Sequence, residues 1–365
     1  MSKIKKRTDA HSVEVGVSHE VTKLMDERIS QQPKVEKSER REILRVDNLK
    51  MYFPVTKGLM KRTVGYVKAV DDVSFRINQG ETLGIVGESG SGKSTVGNCV
   101  MRNYNITGGH MMYNGIELEN QTAKQMRSVH KSLTMITQDP YASLDPRKTV
   151  SEVILEGPKI HHMYKTEMEG RDIVGQMLEL VGLNPKFANR YPHEFSGGQR
   201  QRISIARALA MNPSFIVCDE IVSALDVSIQ AQIVSLMMKV QQELGLTYIF
   251  IGHDLSVVRH LSNQVAVMYL GKIMELTDSD ELYNNPQHPY TQALISAAPI
   301  PNPTADRARQ RILLEGEVPS PINPPKGCNF CTRCRFADKR CMEEEPEMVD
   351  VGNNHLVACH RVCGQ

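Results

Sequence analysis

The chain has 365 residues, with 44 Lys and Arg against 42 Asp and Glu, and a formal net charge of +2. That length allows a sizeable core with appended units, while near-neutrality gives no electrostatic reason to expect nucleic acid or an anionic membrane as a partner. No run approaches the about 18 consecutive apolar residues of a membrane helix, and the basic N-terminus has no apolar stretch behind it, so a soluble, unsecreted chain is expected.

In chain order, residues 1–42 mix Lys, Arg, Glu, Ser and Gln without a sustained apolar period, which predicts a mobile polar extension. Strand-like segments follow at Ile43–Met51, Tyr66–Val70 and Val73–Ile77, with Asn78-Gln79-Gly80 as a turn. Leu83-Gly84-Ile85-Val86 reads as a buried strand. It leads into Gly87-Glu88-Ser89-Gly90-Ser91-Gly92-Lys93-Ser94-Thr95, a complete phosphate-binding loop, and the residues after Thr95 can open a helix. Loop N–H groups and the helix N-terminus offer positive dipole ends to the α- and β-phosphates of ATP, and the glycines allow close backbone approach. Lys93 is expected at the β- and γ-phosphates, and the Ser94 hydroxyl at Mg²⁺, a hard cation that wants oxygen ligands.

Three more apolar runs read as parallel strands: Ser132–Thr137, Phe215–Cys218 and Thr247–Ile251. Each ends at a residue capable of chemistry, namely Gln138, Asp219-Glu220, and His253 just beyond the last. Ligands in open α/β sheets sit beyond the carboxyl ends of the strands, so this convergence predicts a site. Beside a phosphate loop, Asp219 is expected to hold Mg²⁺ and Glu220 to polarise the attacking water. Between Gln138 and Phe195 the pattern is helical (Val150–Glu156, Arg171–Val181), which predicts an inserted helical subdomain over about 139–210. After His253 come a helix (Leu255–Leu261) and a strand pair (Val265–Leu270, Lys272–Leu276) around Gly271. A proline-rich stretch from Pro286 to Pro325 then reads as part of a linker over 281–327, ahead of a cysteine-rich tail at 328–365.

Phe195-Ser196-Gly197-Gly198-Gln199-Arg200-Gln201-Arg202 resembles the signature motif of the ATP-binding-cassette ATPases. The resemblance implies an α/β P-loop ATPase over 43–280, with an antiparallel β part, the inserted helices and the Cys-rich C-terminal extension. It implies head-to-tail dimers in which Ser196, Gly197, Gly198 and Gln199 meet the γ-phosphate held by the opposite loop, a positive helix terminus facing concentrated negative charge. The family's first signature position is usually Leu, here Phe195. By the same resemblance Gln138 senses Mg²⁺ and the attacking water, Ser223-Ala224-Leu225-Asp226 communicates across the dimer, and His253 touches the γ-phosphate. Adenine needs an aromatic face; Phe53 is the choice, with Tyr52 and Tyr66 as rivals.

Gln138–Arg147 and Asn285–Leu294 are similar to the ATPase subunits of oligopeptide and dipeptide import systems, and the segment from Lys57 to Val70 is closer to the F-type subunit than to its D-type sibling. This implies ATP hydrolysis driving peptide import at the cytoplasmic face of the membrane. The implied partners are a D-type ATPase, two transmembrane permeases and an extracytoplasmic solute-binding protein, with no nucleic acid. Nickel or another small solute is an alternative cargo. A cassette ATPase acting on DNA or ribosomes is expected to carry tandem cassettes or a coiled-coil insertion, and this chain has neither.

Eight cysteines include six between 328 and 363, where reduced thiols or a metal site fit better than the disulfide framework of a small secreted domain. Their segment has little apolar content, and a metal would compensate for a weak core. In the permease ATPases four tail cysteines resemble an iron–sulfur ligand set, implying a [4Fe–4S] cluster on Cys328, Cys334, Cys341 and Cys359. Cys331 and Cys363 are additional, leaving a tetrahedral Zn²⁺ site or free thiols as alternatives.

Overall fold

The computed structural model describes residues 41–58, 62–298 and 311–362. The N-terminal extension, the tip of the insert around residue 60, part of the proline-rich stretch and Cys363 lie outside the described residues.

Two sheets organise the molecule. Strands β1 (Glu42–Lys57) and β2 (Arg62–Asn78) form a long antiparallel hairpin, and β4 (Gly108–Tyr113) and β5 (Ile116–Glu117) extend it in the order β2-β1-β4-β5. The strand expected to stop at Met51 thus runs on to Lys57, and the insert is the hairpin's distal end, with Pro54 paired to Tyr66.

The second sheet has eight strands. Its centre is parallel: β3 (Thr82–Val86), β6 (Leu133–Ile136), β7 (Phe215–Asp219), β8 (Thr247–Ile251) and β9 (Gln264–Tyr269). Antiparallel β10 (Lys272–Asp278) and the short β11 (Val349–Asp350) and β12 (Leu356–Val357) complete it, in the order β11-β12-β10-β9-β3-β8-β7-β6. Every residue of β3, β7 and β8 is buried, which is why these strands read as unbroken apolar runs instead of alternating ones. Their side chains alternate between two cores: Leu83 and Ile85 face the antiparallel sheet, while Val86 and Ile216 face the helices.

The helices are set by local capping chemistry. Helix α1 (Lys93–Val100) opens at Gly92, whose φ of 102° favours glycine, and α2 (Ala123–Val129) is capped by Thr122. The helical subdomain consists of α3 (Pro140–Ser143), α4 (Val150–Ile160), α5 (Glu167–Leu180) and α6 (Gly197–Leu209). Thr149 with Glu152, and Ser196 with Gln199, form reciprocal capping boxes at α4 and α6. Helix α7 (Val227–Leu244) lies before β8 and ends at Gly245 in the left-handed conformation, and α8 (Leu255–Leu261) packs on β3.

Beyond β10 the first described part of the expected linker is helical. Helices α9 (Ser279–Asn284) and α10 (Pro289–Ala297) follow directly, with Pro289 at the first helical position, where its missing N–H costs nothing. Tyr290 is fully buried. The cysteine-rich tail also differs from expectation. Cys328, Phe330 and Cys331 are buried in the helix-side core, Val357 of β12 is buried where β12 pairs with β10, and a short helix α11 (Lys339–Glu343) lies between them in the chain. Among the described residues no helix is long and apolar enough to cross a membrane.

Candidate active site

The phosphate loop joins β3 to α1, and its backbone has no room for side chains at two glycines. A Cβ on Gly87 would lie 2.1 Å from the carbonyl oxygen of Met268, and one on Gly92 would lie 2.1 Å from that of Ala69. Both residues have positive φ. The β9–β10 corner supports the loop, Gly271 N–H donating to the Ser91 carbonyl at 2.9 Å. Lys93 is buried beneath the loop, where its Nζ donates to the carbonyls of Gly87 at 2.9 Å and Glu88 at 3.0 Å. Burial pushes its pKa down, while the carboxylates of Glu220, Asp219 and Glu88 pull it up; burial prevails. Ser91 Oγ is buried without a hydrogen-bond partner. A cationic group, an unsatisfied hydroxyl and a glycine-lined backbone together suit a phosphate chain.

Beside the loop, Ser94 Oγ donates to Asp219 Oδ1 at 2.8 Å, joining the start of α1 to the end of β7. Burial raises the Asp219 carboxyl above its ordinary range, and the nearby Glu220 charge adds to this against the Ser94 hydrogen bond and Lys93. A hydroxyl and a carboxylate that favours a nearby cation form a hard-oxygen set suited to Mg²⁺.

The ends of three neighbouring strands converge on Glu220. Its backbone is left-handed, φ 46°, and is fixed by its N–H donating to the Ile251 carbonyl at 2.9 Å and by Ser223 Oγ donating to its own carbonyl at 2.9 Å. Gln138, just past β6, donates from Nε2 to Glu220 Oε2 at 2.6 Å, and His253 Nδ1, just past β8, lies 3.9 Å from the same oxygen. Gln138, Asp219, Glu220 and His253, predicted from separate strand ends, thus occupy one site with Lys93 and Ser94.

The Ser196–Gln199 segment is organised differently. It forms the N-terminus of α6 and packs on the start of α7 and on the loop that follows Glu220: a Cβ on Gly198 would lie 2.6 Å from Ile229 Cγ2 of α7, and one on Gly197 would lie 3.6 Å from Leu225 Cδ2 of the loop. Asp226 stands at the start of α7 with no side-chain capping bond. Arg200, one turn into α6, stacks on Tyr141 of α3 with its Cζ 4.0 Å from the ring centroid, so the short helix that follows Gln138 touches the helix that carries the Ser-Gly-Gly tip. Phe53 is half-buried and met edge-on by Tyr104 at 5.2 Å; the Tyr52 hydroxyl is held by Asp71, and Tyr66 is exposed.

Two contacts at the loop escape sequence reasoning. Glu88 N–H donates to the Tyr290 hydroxyl at 2.9 Å, and the Glu88 carboxylate accepts from Arg333 at 2.7 Å. The only signal for Tyr290 is its place in the Asn285–Leu294 segment, and nothing local to Arg333 marks it.

In the tail, burial pushes the Cys328 thiol up to about 12, and Cys341, Cys359 and Cys331 are near enough to act on it. Cys334 is raised by burial and by its neighbours Cys341 and Cys331. A Cβ on Gly327 would lie 2.4 Å from the Cys341 carbonyl oxygen, so the two cysteine-bearing turns meet backbone to backbone. Among the described residues no three His, Cys, Asp or Glu side chains are already arranged as a metal-ligand set.

Residues 70–223 match the family model described as ABC transporter, and residues 274–341 match that of the oligopeptide/dipeptide transporter C-terminal region. The oligopeptide transport ATP-binding protein AppF of Bacillus subtilis is 56% identical over 319 residues, covering 87% of this chain and 97% of the relative. OppF of Haemophilus influenzae is 50% identical over 322 residues (88% and 97%), and OppF of Escherichia coli is 49% identical over 325 (88% and 97%). Among solved structures, the ATP-binding cassette MJ0796 in a dimeric post-hydrolysis state bound to ADP and Pi superimposes with a TM-score of 0.58. It is 26% identical, and the match covers 65% of this chain and 99% of that one. CbiO1 of Clostridium perfringens gives a TM-score of 0.57 at 25% identity, covering 67% and 91%.

Proposed function

The chain belongs to the ATP-binding-cassette ATPases, among the oligopeptide transport ATP-binding proteins, and from that premise we propose that it is the ATP-hydrolysing subunit that powers peptide import through a membrane transporter. One observation carries the catalytic assignment: Gln138, Glu220 and His253 meet beside Lys93 and the Ser94–Asp219 pair.

In this reading residues 87–95 cradle the triphosphate, Lys93 leaving its loop carbonyls for the β- and γ-phosphates. Ser94 and Asp219, with Gln138 near them, would hold Mg²⁺, which when bound neutralises charge on the phosphates. Glu220 accepts the proton of the attacking water, and the Gln138 hydrogen bond fixes which carboxylate lone pair faces it. His253 lies close enough to share the developing charge. Phe53 offers adenine an aromatic face toward the distal end of the β1–β2 hairpin. Ser196, Gly197, Gly198 and Gln199 present the α6 N-terminus to the nucleotide of a partner subunit, and Asp226 lines the same face.

The partner is proposed to be a D-type sibling, working with two transmembrane permeases and an extracytoplasmic solute-binding protein, so that this subunit sits peripherally on the cytoplasmic face. A cleft of about 870 Å³ supports permease docking: Glu156, Ile160 and Arg207 line it together with Gln138 and Asp219, so an element seated there touches residues of the hydrolytic site. Only a difference in binding between open and closed states can turn hydrolysis into movement, and this cleft joins the two ends of that coupling.

Co-reconstitution with the sibling, permeases and binding protein in vesicles tests the reading. ATP-dependent accumulation of labelled peptide is expected, and its persistence with Glu220→Gln would refute the assignment. For the tail we propose a [4Fe–4S] cluster on Cys328, Cys334, Cys341 and Cys359, whose side chains are not already arranged as a ligand set; the backbone contact between the Cys328 and Cys341 turns supports it. Anaerobic purification with visible absorbance and iron, sulfide and zinc analysis tests it, stoichiometric zinc without sulfide being the result that overturns it.

A further inference from the structure

The C-terminal region grips the phosphate loop at one residue from two directions. Tyr290 of α10 accepts the Glu88 backbone N–H at 2.9 Å, and Arg333 Nη1 donates to Glu88 Oε2 at 2.7 Å. Arg333 ends the 3₁₀ turn Cys331–Arg333, and its side chain is only 8% exposed. Its guanidinium also reaches the Tyr269 hydroxyl at 3.5 Å and lies 5.9 Å from that ring's centroid. Tyr269, Tyr290 and Phe330 pack together with centroids 4.8 to 5.3 Å apart, so the strand before the loop's supporting corner, the helix after the core and the tail form one aromatic block beneath Glu88.

Glu88 is the second residue of a loop built to bind an anion, and its charge is felt at Lys93. An unpaired carboxylate there repels phosphate, since like charges close together disfavour one another. A buried guanidinium 2.7 Å away offsets that repulsion, and its Nη1 hydrogen bond holds the Glu88 Oε2 oxygen in place. Arg333 and Glu88 are 245 residues apart, so the contact exists only when the tail is docked.

We propose that Arg333 is a positioning residue for nucleotide binding: it offsets the Glu88 carboxylate and thereby makes the affinity of the phosphate loop depend on docking of the cysteine-rich tail. The inference rests on residues 87–95 being the triphosphate site. Linkage makes it reciprocal, so bound nucleotide must stabilise tail docking by the same factor.

The test is MgATP binding to the purified full chain by calorimetry, with KM and kcat measured in the assembled transporter. Arg333→Ala is expected to weaken binding and raise KM about five- to tenfold, with kcat changing by less than about twofold. Adding Glu88→Gln to that variant is expected to restore affinity to within about twofold of Glu88→Gln alone, and Arg333→Lys to retain most of it. Should Arg333→Ala fold poorly, Arg333→Gln replaces it, with thermal unfolding as the control. Hydrogen exchange over residues 328–334 is expected to slow with MgATP in the unaltered chain and not in the Arg333 variant. Wild-type affinity in both neutral Arg333 variants, or no recovery on adding Glu88→Gln, overturns the proposal. Lys93→Ala separates the two layers: if it binds MgATP normally the phosphate-loop reading itself fails, whereas lost binding there with unaltered Arg333 variants removes only the role of Arg333.

Discussion

Gln138 and Glu220 are joined across the ends of adjacent parallel strands, Nε2 to Oε2 at 2.6 Å, although 82 residues separate them in the chain. The amide holds one carboxylate oxygen, and the left-handed backbone of Glu220 holds the other end of the side chain. Glu220→Gln keeps the shape and removes the base, so hydrolysis by the assembled transporter should fall about 10²- to 10⁴-fold with nucleotide affinity retained. Gln138→Ala leaves the base and frees its orientation; kcat should fall by a smaller factor, on the order of tenfold, with KM little changed. Steady-state phosphate release checks both. A Gln138→Ala defect as large as that of Glu220→Gln would show that orientation and proton transfer are not separable here.

The Ser94–Asp219 hydrogen bond gives a second prediction. Ser94→Ala removes one hard oxygen and leaves the buried Asp219 without its donor, so the Mg²⁺ concentration for half-maximal hydrolysis should rise roughly tenfold or more. Excess chelator should stop hydrolysis in the unaltered protein, with added Mg²⁺ restoring it. Titration of activity against free Mg²⁺ at saturating ATP is the measurement, and an unchanged midpoint in Ser94→Ala would remove Ser94 from the metal site.

Much of this site was legible because its signals are local. Residues 87–95 carry their meaning in nine contiguous positions, and Gln138, Glu220 and His253 each follow an apolar run that had to be a buried strand. Helix α7 was legible too, through Ile233, Val234, Met237 and Val240 at helical spacing, yet it is absent from the elements predicted by sequence. The ordered C-terminal region was not legible. Proline reads as a breaker, but Pro289 sits where a helix tolerates it, and the apolar value of Tyr290 and Phe330 appears only when Tyr269 is brought against them. Arg333 with Glu88 and His355 with Glu275 are pairings made by topology, and no spacing rule reaches across 245 or 80 residues.

Gly198 tests the Ser-Gly-Gly tip of α6. A methyl group there would lie 2.6 Å from Ile229 Cγ2, a branched side chain with little freedom on α7. Gly198→Ala should therefore push the α6 N-terminus away from α7, at a cost of about 1–3 kcal/mol in stability. Hydrolysis by the paired subunits should drop while MgATP binding to the isolated chain is kept. Ile229→Ala in the same chain makes room for the methyl group and should recover part of the lost activity. Failure of that rescue, with folding intact, would point to the glycine backbone at the partner's nucleotide instead of to packing.

The buried His355–Glu275 pair joins the tail to the sheet edge and predicts that its docking depends on pH. The ring is buried, with Nε2 2.7 Å from Glu275 Oε1 and Nδ1 3.6 Å from Glu281 Oε1. Glu275 also accepts the backbone N–H groups of Gln287 and His288, so one buried carboxylate ties β10, α10 and the β11–β12 hairpin together. Burial alone would lower the His355 pKa; the Glu275 hydrogen bond and the charges of Glu275 and Glu281 override it, and the net shift is upward from 6.5. The native state thus holds this proton more tightly than the unfolded chain. The stabilisation is fully present below about pH 6.5 and is lost as pH rises through the folded value. His288, pushed down to about 4 by burial, is neutral throughout that upper window and does not oppose the trend. Thermal unfolding measured upward from pH 6.5 should show the difference between the unaltered chain and His355→Gln narrowing as pH increases, and hydrogen exchange at Leu356 and Val357 should quicken in parallel in the unaltered chain. A difference that stays constant or grows with pH would mean that the His355–Glu275 pair is held as neutral imidazole and carboxylate, and that tail docking does not depend on the His355 proton.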